Sequence, residues 1–261
     1  MTKDDTNVMD QFRLDGRAAL ITGGTKGLGK SMGIGLAQAG AKVAVCSRHG
    51  DEAEATAQEI ASETGQQCIG VQADVTNEDG VKALFAKTTD EFGGLHVLIN
   101  SAGMNIRHPI EEFPLEEFQQ IMDVNVTGTW LCCREAAGIM KKQERGSIVN
   151  VGSCLSAIGL AERTAYCSSK AAILGMTKTL ALELAPHGVR CNALCPGPFL
   201  TEINAALLDQ PEKVKALLAL TALNRWAELP EIRGAALFLA SDASSYMTGA
   251  ALYLDGGWTA K

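Results

Sequence analysis

Short apolar runs alternate along the chain with longer stretches in which apolar positions recur at helical spacing. The apolar runs lie at residues 17–22, 42–46, 67–74, 95–103, 147–153, 189–197 and 251–257. The helical stretches lie at residues 28–39, 51–64, 77–92, 115–142, 164–185 and 229–240. Continuously apolar strands separated by helices are typical of a parallel sheet covered on both faces. The pattern therefore predicts a doubly wound α/β fold, with about seven parallel strands and helices on both faces.

The composition fits one large domain. The chain has 261 residues, 46% of them hydrophobic, which is enough for a sizeable core. A net charge of −7 and the absence of a basic run argue against nucleic acid as a partner. The eight cysteines form no CxxC motif and no ligand-like pairing with the four histidines, so we expect neither disulfides nor a metal. The polar N-terminus and the lack of a membrane-spanning run predict a cytoplasmic protein that does not bind membranes.

A tyrosine and a lysine stand four residues apart in the helical stretch 164–185, at Tyr166 and Lys170. This spacing places both side chains on one helix face. We expect the lysine ammonium to lower the pKa of the tyrosine from about 10 toward working pH. Such a tyrosine can transfer a proton while a carbinol or carbonyl carbon is oxidised or reduced. Ser153 ends the apolar run thirteen residues upstream of Tyr166.

The first apolar run leads directly into a glycine-rich turn, TGGTKGLG at residues 22–29, and then into a helix. Small residues let the backbone approach a pyrophosphate, which rests on the helix N-terminus. Strand, turn and helix in this order predict a Rossmann-type dinucleotide site. The alternative is a tight turn without a ligand. The turn residues predicted to bind the cofactor are Gly23, Thr25, Lys26, Gly27, Leu28 and Gly29.

The end of the second predicted strand favours NADP over NAD. An NAD site would place a carboxylate there, on the ribose 2′-hydroxyl, but the strand ends in Cys46-Ser47-Arg48. The planar fork of Arg48 suits a 2′-phosphate, and Lys26 can reach the same place. The alternative is that Arg48 is only solvated, or paired with Asp51 or Glu52.

Two further strand ends carry candidate cofactor contacts. Asp74 could accept a hydrogen bond from the adenine amine, or it could simply cap a turn. The segment Asn100-Ser101-Ala102-Gly103 predicts a second close approach of the backbone to the cofactor.

These motifs together resemble the short-chain dehydrogenase/reductase family over nearly the whole chain. The matching pieces are TGGTKGLG (22–29), Asp74-Val75, NSAG (100–103), Asn125, Ser153, YCSSK (166–170), PGPFLT (196–201) and LDGG (254–257). The family usually has a second Asn where this chain has Ser101, and we expect the turn to survive this small polar change.

The resemblance implies a role for each matching residue. Tyr166 would be the general acid/base, and Lys170 would lower its pKa and bind the nicotinamide ribose. Ser153 would orient the substrate oxygen, and Asn125 would hold a water that links Lys170 to solvent. Ser153 could also be a turn cap, and Asn125 an ordinary helix residue. Thr201 would bind the nicotinamide carboxamide. The other implied cofactor contacts are Ser47, Val75, Asn100, Ala102, Gly103, Pro196 and Gly197.

Three short pieces narrow the substrate class. The sequences MNIRHP (104–109) and NRW (224–226), with the terminal GGW (256–258), resemble gluconate 5-dehydrogenases and related 2-deoxygluconate dehydrogenases. Arg107 and His108 are then candidates to bind the carboxylate of a sugar acid. The alternative for Arg107 is that it only fixes its own loop. Alternative functions are a 3-oxoacyl-[acyl-carrier-protein] reductase, which shares the same motifs, and a non-catalytic NADP sensor.

The motifs divide the single predicted domain, residues 1–261, into two halves. Residues 14–110 would bind mainly the cofactor, and residues 111–261 would carry the catalytic groups. The irregular segment 198–228, with helix-like pieces at 201–208 and 211–219, is predicted to be a lid over the substrate. The stretches 130–140 and 170–185 are apolar on most sides, which predicts burial against a neighbouring subunit. We therefore expect a homotetramer, with a dimer as the alternative.

Overall fold

Each of the seven predicted apolar runs contains one strand of a single parallel sheet, except that the second and fifth strands extend one residue beyond their runs, at the end and at the start respectively. In the computed structural model, which describes residues 7–201 and 209–260, the strands are β1 (Ala18–Thr22), β2 (Lys42–Ser47), β3 (Cys68–Gln72), β4 (Val97–Asn100), β5 (Gly146–Val151), β6 (Val189–Pro196) and β7 (Ala251–Leu254). Their order in the sheet is β3-β2-β1-β4-β5-β6-β7. The order reverses direction between β1 and β4, where a crevice opens at the carboxyl ends of the strands. The predicted fold class is confirmed.

Helices connect the strands and cover both faces of the sheet. They are α1 (Gly27–Gln38), α2 (Gly50–Thr64), α3 (Glu78–Phe92), α4 (Leu115–Met122), α5 (Gly128–Gln143), α6 (Thr164–Leu184), α7 (Pro211–Leu218) and α8 (Glu231–Ala240). Asn77 caps the N-terminus of α3, because its side chain accepts a hydrogen bond from the amide of Gly80 at 2.8 Å.

The two faces of the sheet form two separate cores. Along β1, Ala18 and Leu20 pack toward α3, α5 and α6, whereas Ala19 and Ile21 pack toward α1 and α8. This division follows from the alternation of side chains along a strand. Because each face is covered by helices, every residue of β1 is buried and the strand is apolar almost throughout.

The long helical stretch predicted at 115–142 is interrupted. Between α4 and α5 the backbone forms a π-helical turn, Asp123–Thr127, and buried Asn125 lies within it. A π-helical turn inserts a residue into the helical repeat and is often found at functional sites. Hydrophobic spacing did not reveal it, since the apolar positions on both sides still fit a helix.

The segment predicted to be a lid is held at both of its ends. The amide of Leu200 donates to the carbonyl of Ala227, and the amide of Ala227 donates to the carbonyl of Pro198, each at 3.0 Å. The predicted helix at 211–219 corresponds to α7, whereas the predicted piece at 201–208 lies outside the described residues apart from Thr201. Within residues 7–201 and 209–260, no helix is long and apolar enough to cross a bilayer.

Candidate active site

A cavity of about 640 Å³ opens at the carboxyl ends of β1, β2, β4, β5 and β6. It brings together motifs that lie far apart in the sequence, including the glycine-rich turn and the Tyr-Lys pair. The predicted site residues that line it are Gly23, Thr25, Lys26, Gly27, Leu28, Gly29, Ser47, Arg48, Ala102, Gly103, Arg107, Ser153, Tyr166, Lys170, Pro196, Gly197 and Thr201. This is the place where doubly wound sheets bind their ligands.

The glycine-rich turn is shaped to let a ligand approach its backbone. Gly23 has a φ of +61°, and a Cβ there would lie 2.8 Å from the Cα of Ala102. A Cβ on Gly29 would collide with the carbonyl oxygen of Gly23. No side chain caps the start of α1, so its first amide groups are available to an anion. The turn therefore fits the pyrophosphate of a dinucleotide.

A threonine hydroxyl joins this turn to the NSAG turn. Thr22 Oγ1 accepts hydrogen bonds from the amides of Ser101 at 3.1 Å and Ala102 at 3.2 Å. Both contacts use the backbone of the second turn, which is why a serine at position 101 is compatible with it.

Two cations lie at the tip of β2, and their surroundings differ. The side chain of Lys26 pairs with Glu52 at 3.2 Å, and both side chains are substantially exposed. Such an exposed pair stabilises the folded protein by only about 0–1 kcal/mol, so the ammonium of Lys26 can also bind another anion. Arg48 is exposed and forms no ion pair with any residue that the structure describes, Asp51 and Glu52 included.

Lys170 is almost fully buried, and its ammonium has a backbone partner. Its Nζ donates to the carbonyl oxygen of Val151 at 2.7 Å and lies 5.8 Å from the centroid of the Tyr166 ring. Burial lowers the pKa of Lys170 to about 8, because desolvation disfavours the charged form.

The predicted lowering of the tyrosine pKa is not what the structure gives. Burial raises the pKa of Tyr166 to about 12, while the hydrogen bond with Ser153 and the charge of Arg163 act in the opposite direction. The side chain is partly accessible from the cavity, so solvent there moderates the increase. The ammonium of Lys170 is committed to Val151 and does not offset the burial. Tyr166 is accordingly a protonated phenol, a form suited to donating a proton.

Ser153 is both a turn cap and a residue of the cavity wall. Its Oγ accepts a hydrogen bond from the amide of Leu155 at 3.1 Å, and its own amide donates to Ser156 Oγ at 3.1 Å. This reciprocal capping fixes the end of β5. Because the Ser153 oxygen accepts from Leu155, its proton remains available to Tyr166 or to a substrate oxygen.

Asn125 lies behind the cavity rather than in its wall. Its Oδ1 accepts from the amide of Met104 at 2.8 Å, and its Nδ2 donates to the Met104 carbonyl and to Ser169 Oγ, both at 3.0 Å. The side chain thus joins the loop after β4 to the catalytic helix α6. We regard Asn125 as a positioning residue, and the water relay implied by the family resemblance stays a prediction.

Three predicted cofactor residues lie outside the cavity wall. Asp74 Oδ1 accepts hydrogen bonds from the amide and hydroxyl of Thr76 at 2.9 and 2.8 Å, which is the capping alternative. Val75 packs against Gly128 of α5. Asn100 is buried, and its Nδ2 donates to Asn150 Oδ1 at 2.9 Å.

His108 also lies outside the cavity wall, which differs from its predicted role on the substrate. Its Nε2 lies 2.8 Å from Glu117 Oε2, and its ring meets Phe113 edge-on with centroids 5.2 Å apart. These contacts brace the loop against α4, so His108 supports the loop that carries Arg107.

Arg163 is a cavity residue that sequence reasoning missed. It directly precedes α6, is half-buried, and lines the cavity together with Arg107. Burial and the charge of Arg107 lower the pKa of Arg163. Its position three residues before Tyr166 was the available signal, because that spacing keeps two side chains on one side of a helix. Lys213 and Trp258 also line the cavity and were not predicted.

The doubly wound sheet, the phosphate-binding turn and the Ser-Tyr-Lys cluster define a nicotinamide-dependent oxidoreductase. A family model described as Enoyl-(Acyl carrier protein) reductase matches residues 23–259. The chain belongs to the short-chain dehydrogenase/reductase family, as predicted, and is an NAD(P)-dependent enzyme of the alcohol dehydrogenase/ketoreductase type.

Relatives of known name act on different substrates. The chain is 37% identical over 248 residues to a glucose 1-dehydrogenase of Gluconobacter oxydans, covering 95% of this chain and 93% of that one. It is 36% identical over 246 residues to a 3-oxoacyl-[acyl-carrier-protein] reductase of Synechocystis sp., covering 94% and 97%. A solved gluconate 5-dehydrogenase from Burkholderia cenocepacia, in complex with NADP and tartrate, superimposes with a TM-score of 0.94 at 34% identity, covering 98% and 100%. These relatives share one fold and one family but are named for three different substrates.

Proposed function

We propose that this enzyme prefers NADP and transfers a hydride between the nicotinamide and a secondary alcohol or ketone of a sugar acid, such as gluconate and 5-ketogluconate. The charge of the cavity is the observation that carries this proposal. Among the described residues that line it, Glu52 is the one carboxylate, although the chain has a net charge of −7. The cationic lining residues are Lys26, Arg48, Arg107, Arg163, Lys170 and Lys213.

The catalytic cluster supports proton transfer at the substrate oxygen. Ser153 is near enough to the Tyr166 hydroxyl to act on its pKa, and both side chains line the cavity, so both can approach one substrate oxygen. In the reducing direction the phenol of Tyr166 gives its proton to the carbonyl oxygen, and Ser153 donates a hydrogen bond to the same atom. When bound, the nicotinamide cofactor supplies or accepts the hydride at the carbon. In the oxidising direction the phenolate form of Tyr166 accepts the proton of the substrate hydroxyl, which alkaline pH favours.

The cofactor preference rests on the tip of β2. Arg48 is unpaired among the described residues, and Lys26 forms only an exposed ion pair, so both can contact a ribose 2′-phosphate. Neither Ser47 nor Arg48 offers the carboxylate that an NAD ribose would bind. The NADP in the solved gluconate 5-dehydrogenase supports the same preference.

The bound tartrate of that relative supports an anionic substrate, since tartrate is a hydroxy acid. Turnover tests the proposal directly. Initial rates would be measured for NADP⁺ and NAD⁺ reduction with D-gluconate at alkaline pH, and for NADPH oxidation with 5-ketogluconate and an acetoacetyl thioester. We expect rapid gluconate turnover with NADP⁺. Turnover of the thioester alone would replace the sugar-acid proposal by its alternative.

That alternative is a 3-oxoacyl-[acyl-carrier-protein] reductase, which the similarity to the Synechocystis enzyme supports. The third expectation, a non-catalytic NADP sensor, is disfavoured because the chain belongs to a family of dehydrogenases and reductases. Replacing Tyr166 by Phe separates an enzyme from a sensor, because an enzyme loses turnover while a sensor keeps its biological effect.

We also propose that the enzyme is a homotetramer, with a dimer as the alternative. Trp130 on α5 and Leu182 on α6 are 47% and 78% exposed, respectively, and Tyr246 before β7 is fully exposed. Exposed apolar side chains on adjacent helices favour a protein partner. Light scattering should give a multiple of the chain mass, and a mass of 27.5 kDa would refute the proposal. The cytoplasmic location stays a prediction.

A further inference from the structure

Arg163 lies at the cavity without a carboxylate partner among the described residues. It is half-buried at the cavity, and its Nη1 donates to the backbone oxygen of Glu162 at 3.3 Å. It forms no ion pair with any carboxylate of the described residues. Five other guanidinium groups do form such pairs, at Arg13, Arg17, Arg134, Arg145 and Arg225, whereas Arg190 and Arg233 bond to neutral groups and Arg48 is exposed.

The charge of Arg107 makes the charged form of Arg163 less favourable at the cavity. Arg107 reaches the same cavity from the loop after β4, it is half-buried, and it too has no ion pair within the described part of the chain. Burial lowers the pKa of Arg163 most, and the charge of Arg107 lowers it further, while the neighbouring carboxylate of Glu162 offsets only part of this. Two like charges beside a partly desolvated cavity are unfavourable unless an anion lies between them.

The backbone before Arg163 adds an independent observation. Glu162 has a φ of +61°, a left-handed backbone conformation that residues other than Gly, Asn and Asp rarely adopt. Such conformations persist only where the surrounding structure imposes them, and they cluster at ligand sites. Here the turn brings Arg163 to the position directly before α6, three residues before Tyr166.

We propose that Arg107 and Arg163 together bind the carboxylate of the substrate and thereby restrict this enzyme to anionic hydroxy acids and keto acids. The inference rests on the proposed function, because it assigns the anion to the substrate of that site. A guanidinium fork matches the two oxygens of a carboxylate, and two forks can hold it from two sides. The N-terminus of α6 adds a further favourable field for negative charge.

A matched pair of ligands tests this directly. D-Gluconate and D-gluconamide have the same carbon chain and hydroxyls, and differ in a carboxylate against a neutral amide. Calorimetric titration of the NADPH-loaded, full-length enzyme would give both dissociation constants for wild type, Arg107→Gln, Arg163→Gln and Arg163→Lys. Arg13→Gln is the control, since Arg13 is an exposed arginine outside the cavity.

We expect wild type to bind gluconate about 10- to 100-fold more tightly than gluconamide, and each Gln variant to lose most of that ratio. Arg163→Lys should keep part of it, because the charge remains but the fork is lost. The control should retain the whole ratio. Melting temperatures would show that each variant is folded.

The binding readout separates this inference from the proposed function. If gluconate binding depends on both arginines but gluconate is not turned over, the proposed function is wrong and the inference holds. Gluconate turnover with a ratio that neither Gln variant changes would overturn the inference and leave the function standing. Failure of gluconate to bind more tightly than gluconamide in wild type would also overturn the inference.

Discussion

The two ends of the active-site cavity are built from different parts of the chain. The cofactor end consists of backbone: two glycine-containing turns after β1 and β4 and the free amide groups that begin α1. The substrate end consists of side chains, chiefly Arg107 and Arg163, that project from loops. Ser153, Tyr166 and Lys170 lie between the two ends, on β5 and α6.

This difference explains which changes each end tolerates. A backbone surface survives side-chain replacement except where a new Cβ would fill the space, as at Gly23 and Gly29. A surface of side chains changes its chemistry with every substitution. One fold can therefore keep its cofactor while its substrate varies, and the substrate must be argued from individual residues.

The largest expected effect lies where the two ends meet. Tyr166→Phe removes the proton donor and should lower kcat by about 10²- to 10⁴-fold. The NADPH dissociation constant should change by no more than a few fold, because the ring remains. Tyr246→Phe, at a fully exposed tyrosine, is the control for hydroxyl removal. Steady-state kinetics and NADPH fluorescence check both expectations, and a kcat within tenfold of wild type would exclude Tyr166 as the acid.

Cofactor binding at the glycine-rich turn should be disrupted by a substitution whose Cβ clashes with the turn backbone. Gly29→Ala places a methyl group against the Gly23 carbonyl, so we expect it to weaken NADPH binding by about 3 kcal/mol or more. Gly175→Ala is the matched control, because a Cβ there meets nothing within 4 Å and alanine favours the interior of α6. NADPH titrations of both variants make the comparison. Equal affinities for the two variants would show that the turn is not the pyrophosphate site.

Lys170 offers a test of burial at the boundary between the ends. Its pKa of about 8 in the folded protein lies below the ordinary value of 10.5. Between these values the unfolded chain binds a proton that the folded chain does not, so folded stability should rise with pH. Relative to Lys170→Met, the free energy of unfolding of wild type should increase by about 2 kcal/mol from pH 7.5 to pH 10.

Denaturant unfolding of the cofactor-free proteins at both pH values measures this difference. Buried thiols such as Cys191, whose pKa burial raises to about 12, act in the opposite direction. They are present in both proteins, so their contribution cancels. If the difference in unfolding free energy between the two proteins is the same at both pH values, the buried ammonium of Lys170 is stabilised and its pKa is not lowered.

The smallest expected effect concerns Arg48, one of the two cationic side chains at the cofactor end. Arg48→Ala should lower kcat/KM for NADP⁺ by about 10- to 100-fold and leave that for NAD⁺ nearly unchanged, since only the 2′-phosphate loses a partner. The ratio of the two kcat/KM values is the measurement, with Arg13→Ala as the control. An equal loss for both cofactors would place Arg48 elsewhere in the site.

Much of the fold and the cofactor end could be predicted because both depend on local patterns. Strands buried on both faces are continuously apolar, and the glycines at 23, 27 and 29 have a steric role that their spacing reveals. The π-helical turn at Asn125 escaped prediction because it leaves the hydrophobic spacing almost unchanged.

The substrate end was harder to predict because it depends on where loop side chains turn. His108 was assigned to the substrate beside Arg107, yet it turns away to Glu117 and Phe113. The expected effect of Lys170 on the tyrosine pKa failed for a similar reason. Spacing on a helix shows that two groups are neighbours, but it reveals neither their burial nor the Val151 carbonyl that binds the ammonium.

The three hydrogen bonds of Asn125 have a consequence for how the substrate loop can evolve. They connect Met104 to Ser169 of α6, so the backbone is fixed at the point where the NSAG turn ends and the substrate loop begins. Insertions or replacements beyond Met104 can then reshape the pocket without shifting the nicotinamide side of the cavity. The π-helical turn thus separates the cofactor side of the cavity from the substrate loop, and substitutions at residues 105–113 can change specificity while the hydride path stays intact.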